Sequence, residues 1–131
     1  MVYLVDDDQD DLEIAQAALF NHSYKGPVLL LNDGKKLVDQ LNSNTLTPEP
    51  EVIVLDLNMP LLDGFQTLKR IRGHSVYGSI PVVILTASAK KEDEVRSYEL
   101  GCNYFLNKPT RLSDYDTLAA LVKKFTSAAT V

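Results

Sequence analysis

The chain has no tryptophan, a single cysteine and no excess of positive charge. Cys102 has no partner with which to form an internal disulfide, so stability has to come from an apolar core, and a reducing cytoplasm is the expected compartment. Thirteen Lys and Arg face eighteen Asp and Glu, a formal net charge of −5. A nucleic-acid surface needs clustered cations to displace counterions from phosphates, so no direct contact with nucleic acid is expected. The longest apolar runs, such as Val52 to Leu55 and Val82 to Leu85, fall far short of the ~20 residues that cross a bilayer. Membrane insertion is therefore not expected, and no basic segment followed by an apolar stretch opens the chain as a secretion signal would. The two histidines, His22 and His74, have no matched ligands nearby in sequence and read as surface residues; Cys102 reads as core packing.

What is present is a recurring pattern. Of 131 residues, 45% are hydrophobic, enough for one compact domain over 1–131 with no room for a second. Five short apolar runs, at 2–5, 28–31, 52–55, 82–85 and 104–106, read as buried parallel strands. Between them lie segments with helical spacing: Leu12, Ala15 and Leu19; Leu37, Val38 and Leu41; Phe65, Leu68 and Ile71; Leu118, Leu121, Val122 and Phe125. Gly26-Pro27, Pro48, Pro50, Pro81 and Gly101 punctuate the boundaries, and Asp33-Gly34 and Asp63-Gly64 mark turns into helices. Such alternation predicts a doubly wound α/β fold, a five-stranded parallel sheet with five helices on its two faces. The stretch from Ser88 to Leu100 offers few apolar residues among its charges and predicts a weakly anchored fourth helix. The tail from Thr126 to Val131 is expected to fray.

In open α/β sheets ligands bind outside the carboxyl ends of the strands. The first run leads into Asp6, Asp7 and Asp8; the third into Asp56, with Asn58 two residues on; the fourth into Thr86; the fifth into Lys108-Pro109. Asp6, Asp7 and Asp56 held together would repel one another unless a cation intervenes, and an oxygen site with few carboxylates suits magnesium. Lys108 and the Thr86 hydroxyl could each engage an arriving anion. Each element alone has a plainer reading. An acidic run after a strand is commonly a solvated turn, Lys-Pro a turn and Thr a strand former, and Asp8, Asp10 and Asp11 read as ordinary charges at a helix start. The ordered combination at four strand ends favours a functional site.

The segments VDDD at 5–8, VLDLNMPLLDG at 54–64, VVILTAS at 82–88 and FLNKP at 105–109 closely resemble the receiver domains of two-component response regulators. The resemblance covers essentially the whole chain and implies a flavodoxin-like strand order 2-1-3-4-5, a single receiver domain over 1–131 without an output domain. It implies Asp56 as phosphoacceptor, and Asp6, Asp7, Asp56 and the backbone carbonyl of Asn58 as the Mg2+ site. It further implies Lys108 and Thr86 as catalytic partners, Thr86 and Phe105 as the switch pair, Asn58 and Ser88 as residues tuning phosphoryl lifetime, and a cis peptide between Lys108 and Pro109. Tyr104, beside Phe105, is expected to face the other way. Implied partners are a sensor histidine kinase or histidine phosphotransfer protein and a downstream protein target, with homodimerisation left open. Self-phosphorylation and autodephosphorylation would be its only chemistry. Rival readings are a degenerate receiver acting without phosphorylation, a haloacid-dehalogenase-type phosphatase, which would want Asp rather than Asn at 58, and a flavodoxin, whose phosphate cradle the acidic first loop does not supply.

Overall fold

A computed structural model describes residues 1–43 and 49–126 of the chain. In chain order these form β1 (Val2–Val5), α1 (Gln9–Asn21), β2 (Val28–Leu31), α2 (Gly34–Asn42), β3 (Val52–Leu55), α3 (Gly64–Arg72), β4 (Val82–Thr86), α4 (Lys91–Glu99), β5 (Tyr104–Asn107), a 3-10 turn (Leu112–Tyr115) and α5 (Asp116–Phe125). The strands build one parallel sheet in the order β2-β1-β3-β4-β5. Pro48, expected to punctuate the approach to β3, lies outside the described residues.

The apolar runs are continuous because the central strands are covered on both faces. One face sets Leu4, Val54 and Val83 against Leu12, Ala15 and Leu19 of α1 and Leu118 and Val122 of α5. The other sets Tyr3, Ile53 and Ile84 against Leu37 and Leu41 of α2 and Leu68 and Ile71 of α3. Tyr104 joins the first cluster and Phe105 the second, so the two neighbours face opposite ways as expected. β2 and β5 are half-buried rather than buried, because as edge strands they have a partner on one side only.

Asp8, Asp33 and Asp63 cap α1, α2 and α3, and Asp63 forms a reciprocal capping box with Gln66. α4 differs. It starts at Lys91 rather than Ser88, its N-cap residue Lys90 makes no side-chain cap bond, and its one buried residue is Ser97. Val95 and Tyr98 stay 45% exposed. Its ties are polar or peripheral: the Arg96 guanidinium stacks 4.1 Å from the Phe65 ring centroid, and the Tyr98 hydroxyl accepts from Phe105 N at 3.1 Å.

Arg72 closes the opposite end of the sheet. Its guanidinium donates to the carbonyls of Gly78, Ile80 and Gly101 and to Asn103 Oδ1, tying α3 to the turns that launch β4 and β5. Gly101, at φ +100°, ends α4 in the left-handed region. Two strand ends depart from expectation. β4 runs on through Thr86 and β5 through Asn107, because Thr86 pairs opposite Asn107 in the ladder. Thr126, first residue of the tail expected to fray, is buried at the end of α5; 127–131 lie outside the described residues.

Gly64, first residue of α3, packs so tightly that a Cβ there would meet the Asp56 carbonyl oxygen at 2.4 Å and Leu57 Cα at 2.5 Å, both backbone. At Gly73 the nearest atom would be 3.5 Å away. Gly64→Ala is therefore expected to lose about 1–3 kcal/mol in urea unfolding, and Gly73→Ala to stay within about 0.5 kcal/mol of wild type. Equal losses would refute the close packing of α3 beneath Asp56.

Candidate functional site

Register brings the site together. Val5 lies opposite both Leu31 and Leu55, so the next residues on the adjacent strands β1 and β3 are Asp6 and Asp56. Their backbones are pinned by Asp6 N donating to Leu31 O and Asp56 N to Val5 O, at 3.1 and 3.0 Å. The edge lies where the sheet order reverses between β1 and β3, the position at which doubly wound sheets bind ligands. From β5, Lys108 N donates to Thr86 O at 2.9 Å, and the side chain reaches back across the edge.

The Lys108 ammonium sits 2.7 Å from Asp6 Oδ2, 2.7 Å from Asp11 Oδ2 and 3.5 Å from Asp56 Oδ2. The other oxygens of the two buried acids are satisfied by backbone, Asp6 Oδ1 by Asp8 N at 3.0 Å and Asp56 Oδ1 by Leu57 N at 2.8 Å. Asp7 is exposed at the mouth, and one carboxylate oxygen each from Asp6, Asp7 and Asp56 lie within 4.8 Å of one another. Asn58 is exposed two residues beyond Asp56. Thr86 is buried, its hydroxyl oxygen accepting from Ser88 N at 3.3 Å. The Ser88 hydroxyl in turn bonds Asp93 on α4, and Asn107 Nδ2 donates to the Ser88 carbonyl.

Of the residues singled out from sequence, Asp6, Asp7, Asp56 and Lys108 converge, Asn58 is exposed beyond Asp56, Thr86 ends β4 and Ser88 lies in the connection to α4. Phe105 is half-buried on β5 against the α2 and α3 face. Asp11 corrects the expectation: it is no solvated helix-start charge but a direct partner of Lys108. The reason is the Asp8 cap, whose Oδ1 accepts from Asp10 N and Asp11 N and so sets the first turn of α1 over the end of β1. Tyr115, on the 3-10 turn, was also missed; it lines a small cavity with Asp6, Asp11, Asp56 and Lys108.

Burial pushes the Asp6 carboxyl up to about 6, with the charge of Asp56 adding to it and the bonds from Lys108 and Asp8 N opposing. Burial also works against the charge of Lys108, but hydrogen bonds to Asp11 and Asp6 and the charge of Asp56 overcome it and raise its pKa. Lys108 thus stays an ammonium, and Asp6 is the group whose charge is disfavoured. Several carboxylates round one ammonium leave uncompensated negative charge, and an all-oxygen donor set with an exposed member suits a hard divalent cation.

A doubly wound sheet that gathers acids and one lysine where its strand order reverses defines a receiver-type fold. A family profile described as the response regulator receiver domain matches residues 2–122. Response regulator Rcp1 of Synechocystis sp. (strain ATCC 27184 / PCC 6803 / Kazusa) is 31% identical over 128 residues, 95% of this chain and 87% of that one. The probable methanogenesis regulatory protein FilR2 of Methanothrix harundinacea (strain 6Ac) is 28% identical over 127 residues, 95% of this chain and 82% of its own. Among solved structures, the Mn(2+)-bound form of Rcp1 superposes with a TM-score of 0.80 at 31% identity, covering 95% and 91% of the two chains. The phosphorylated cyanobacterial phytochrome response regulator RcpA does so with a TM-score of 0.82 at 30% identity and the same coverage. The chain belongs to the response regulator receiver family and is a receiver domain of two-component signalling. No helix among the described residues is long and apolar enough to cross a membrane.

In metal-free protein the Asp6 carboxyl binds its proton more tightly folded, at about 6, than in an unfolded chain. Between those two values the native state holds the extra proton, so unfolding free energy should fall as pH rises towards 6 and stay lowered above it. Asp6→Asn keeps an acceptor for Asp8 N and removes the charge. In EDTA at pH 7.5 it should be more stable than wild type by about 1 kcal/mol or more, the gap closing towards pH 4. A variant no more stable than wild type at pH 7.5 would contradict this account of the site.

Proposed function

We propose that Asp56 is the phosphoacceptor of this receiver and that Asp6, Asp7, Asp56 and the Asn58 carbonyl hold Mg2+ beside it. The observation that carries the reading is a buried Asp56 whose Oδ2 lies 3.5 Å from the Lys108 ammonium, beside an acidic group open to solvent at Asp7. When bound, the magnesium ion supplies positive charge against the developing negative charge of the transferring phosphoryl oxygens.

The chain's own residues account for the rest. An Asp56 carboxylate oxygen attacks phosphorus in line, a P–O bond forms, and the P–N bond of a phosphohistidine or the P–O bond of an acyl phosphate breaks with its electron pair leaving on the donor. Lys108 offsets charge on the incoming oxygens as a compact cation. Thr86 turns its hydroxyl to donate to the phosphoryl group, and that rotation carries its oxygen away from Ser88 N. That displaces the connection to α4, while Phe105, which has no hydroxyl to desolvate, turns inward. Asn58 at the rim and Ser88 beside Thr86 govern water's approach to phosphorus and with it the lifetime of the aspartyl phosphate.

The donor is a sensor histidine kinase or a histidine phosphotransfer protein. The output is protein contact through α4, β5 and α5 within one receiver domain in the cytoplasm. A shift from 1:99 to 99:1 between resting and active forms needs about 5.5 kcal/mol of preference, so a few charge-assisted bonds give a graded response.

Incubation with acetyl phosphate and Mg2+, followed by intact-mass spectrometry, should add one phosphoryl group to wild type and none to Asp56→Asn or to a chelated sample. Failure of wild type to label with any donor, a histidine kinase included, would favour a receiver fold used only as an interaction domain. Amide exchange provides a second check: α4 should exchange at least tenfold faster than β1, β3 and β4. Protection of α4 equal to that of the central strands would exclude it as the moving element.

A further inference from the structure

We propose that Asp11 is a positioning residue of the phosphoryl-transfer site, a resting anchor that draws the Lys108 ammonium towards α1 and away from Asp56. The inference rests on the phosphoacceptor reading above. Its basis is geometric: Nζ stands 2.7 Å from Asp11 and 2.7 Å from Asp6, but 3.5 Å from Asp56, the residue it is to serve.

The anchor is built rather than incidental. The Lys108 side chain is only 14% exposed and that of Asp11 33%, so this pair is much better shielded than the exposed Lys35–Asp39 pair on α2. α1 is held by its Asp8 cap and by Leu12, Ala15 and Leu19 in the core, so the backbone that carries Asp11 is anchored. An ammonium has three donors. In the resting state two of them are taken by the close contacts with Asp6 and Asp11, leaving Asp56 the long one.

A phosphoryl group on Asp56 brings new charge and strong acceptors to that side. Lys108 then moves towards it and loosens from Asp11, whose negative charge also repels the new anion. Asp11 therefore disfavours the phosphorylated form relative to a receiver with a neutral residue there. Asp10, the next acid on the same turn, has its side chain in solvent and serves as the control for general charge effects.

The test measures binding of beryllofluoride, an analogue of the phosphoryl group, by calorimetry in Mg2+, with the phosphorylation rate at saturating acetyl phosphate as a second readout. Asp11→Asn and Asp11→Ser should bind beryllofluoride about two- to fivefold more tightly than wild type, the range of a partly shielded ion pair. Asp10→Asn should match wild type, and in a Lys108→Ala background Asp11→Asn should gain less than it does with the lysine present, because only the direct repulsion is then relieved. Unchanged or weaker binding in both Asp11 variants, or an equal gain in Asp10→Asn, would overturn the assignment of Asp11 alone. Wild type that takes up neither beryllofluoride nor a phosphoryl group would overturn the phosphoacceptor reading itself.

Discussion

The structure turns on one electrostatic constraint: acids from three elements, Asp6 after β1, Asp11 on α1 and Asp56 after β3, share the single ammonium of Lys108. Two like charges 4 Å apart interact at about 4 kcal/mol where the effective dielectric constant is near 20. Buried carboxylates at that spacing persist only beside a cation, and the lysine cannot neutralise them all. Burial pushes Asp6 towards its protonated form, with the charge of Asp56 adding to it, and the remaining negative charge is why the pocket suits a divalent ion. Adding a phosphoryl group to such a pocket is feasible only where positive charge can be brought to bear on it.

Holding like charges together requires a stiff frame. β1, β3 and β4 are buried over their whole length, and Gly64 lets α3 approach the backbone of Asp56 and Leu57 closely. Strain from repulsion is thus resisted by the best-packed part of the molecule. Softness is placed elsewhere. α4 buries only Ser97 and is held to the body largely through Tyr98, Arg96 and the Ser88 connection. A contact changed at Thr86 would therefore act on an element with little packing energy to oppose its movement. The well-packed site and the sparsely packed α4 meet at β4, where the strand's last residue is Thr86.

Strand and helix positions were legible because both faces of a parallel sheet are buried, which writes continuous apolar runs, and because three helices begin at Asp caps. The four chemical strand ends were legible for the same reason: once the strands are placed, the residues after them must converge. Edge burial and the extension of β4 and β5 were not, since pairing partners, not local sequence, decide where a strand ends. Asp11 escaped because an acid in the first turn of a helix already has a sufficient local explanation. The missed signal was arithmetic: more acids than cations near one sheet edge demand that Lys108 serve several, and the Asp8 cap fixes which residue of α1 is in reach. Tyr115 escaped because the turn that carries it has no apolar periodicity.

The choice of lysine at 108 follows from the same constraint. An arginine would present a planar fork that binds one carboxylate through two parallel bonds, and such a pair is held in a single orientation. Lys108 instead meets acids arriving from β1, α1 and β3, more partners than one bidentate pairing serves. A compact ammonium on a flexible stem can divide its donors among them and redivide them when one partner gains charge. Its own pKa, raised by those partners, keeps it cationic throughout. The proposed switch therefore needs no proton transfer at the lysine. On that proposal it needs only that the balance among the lysine's acceptors tip towards Asp56.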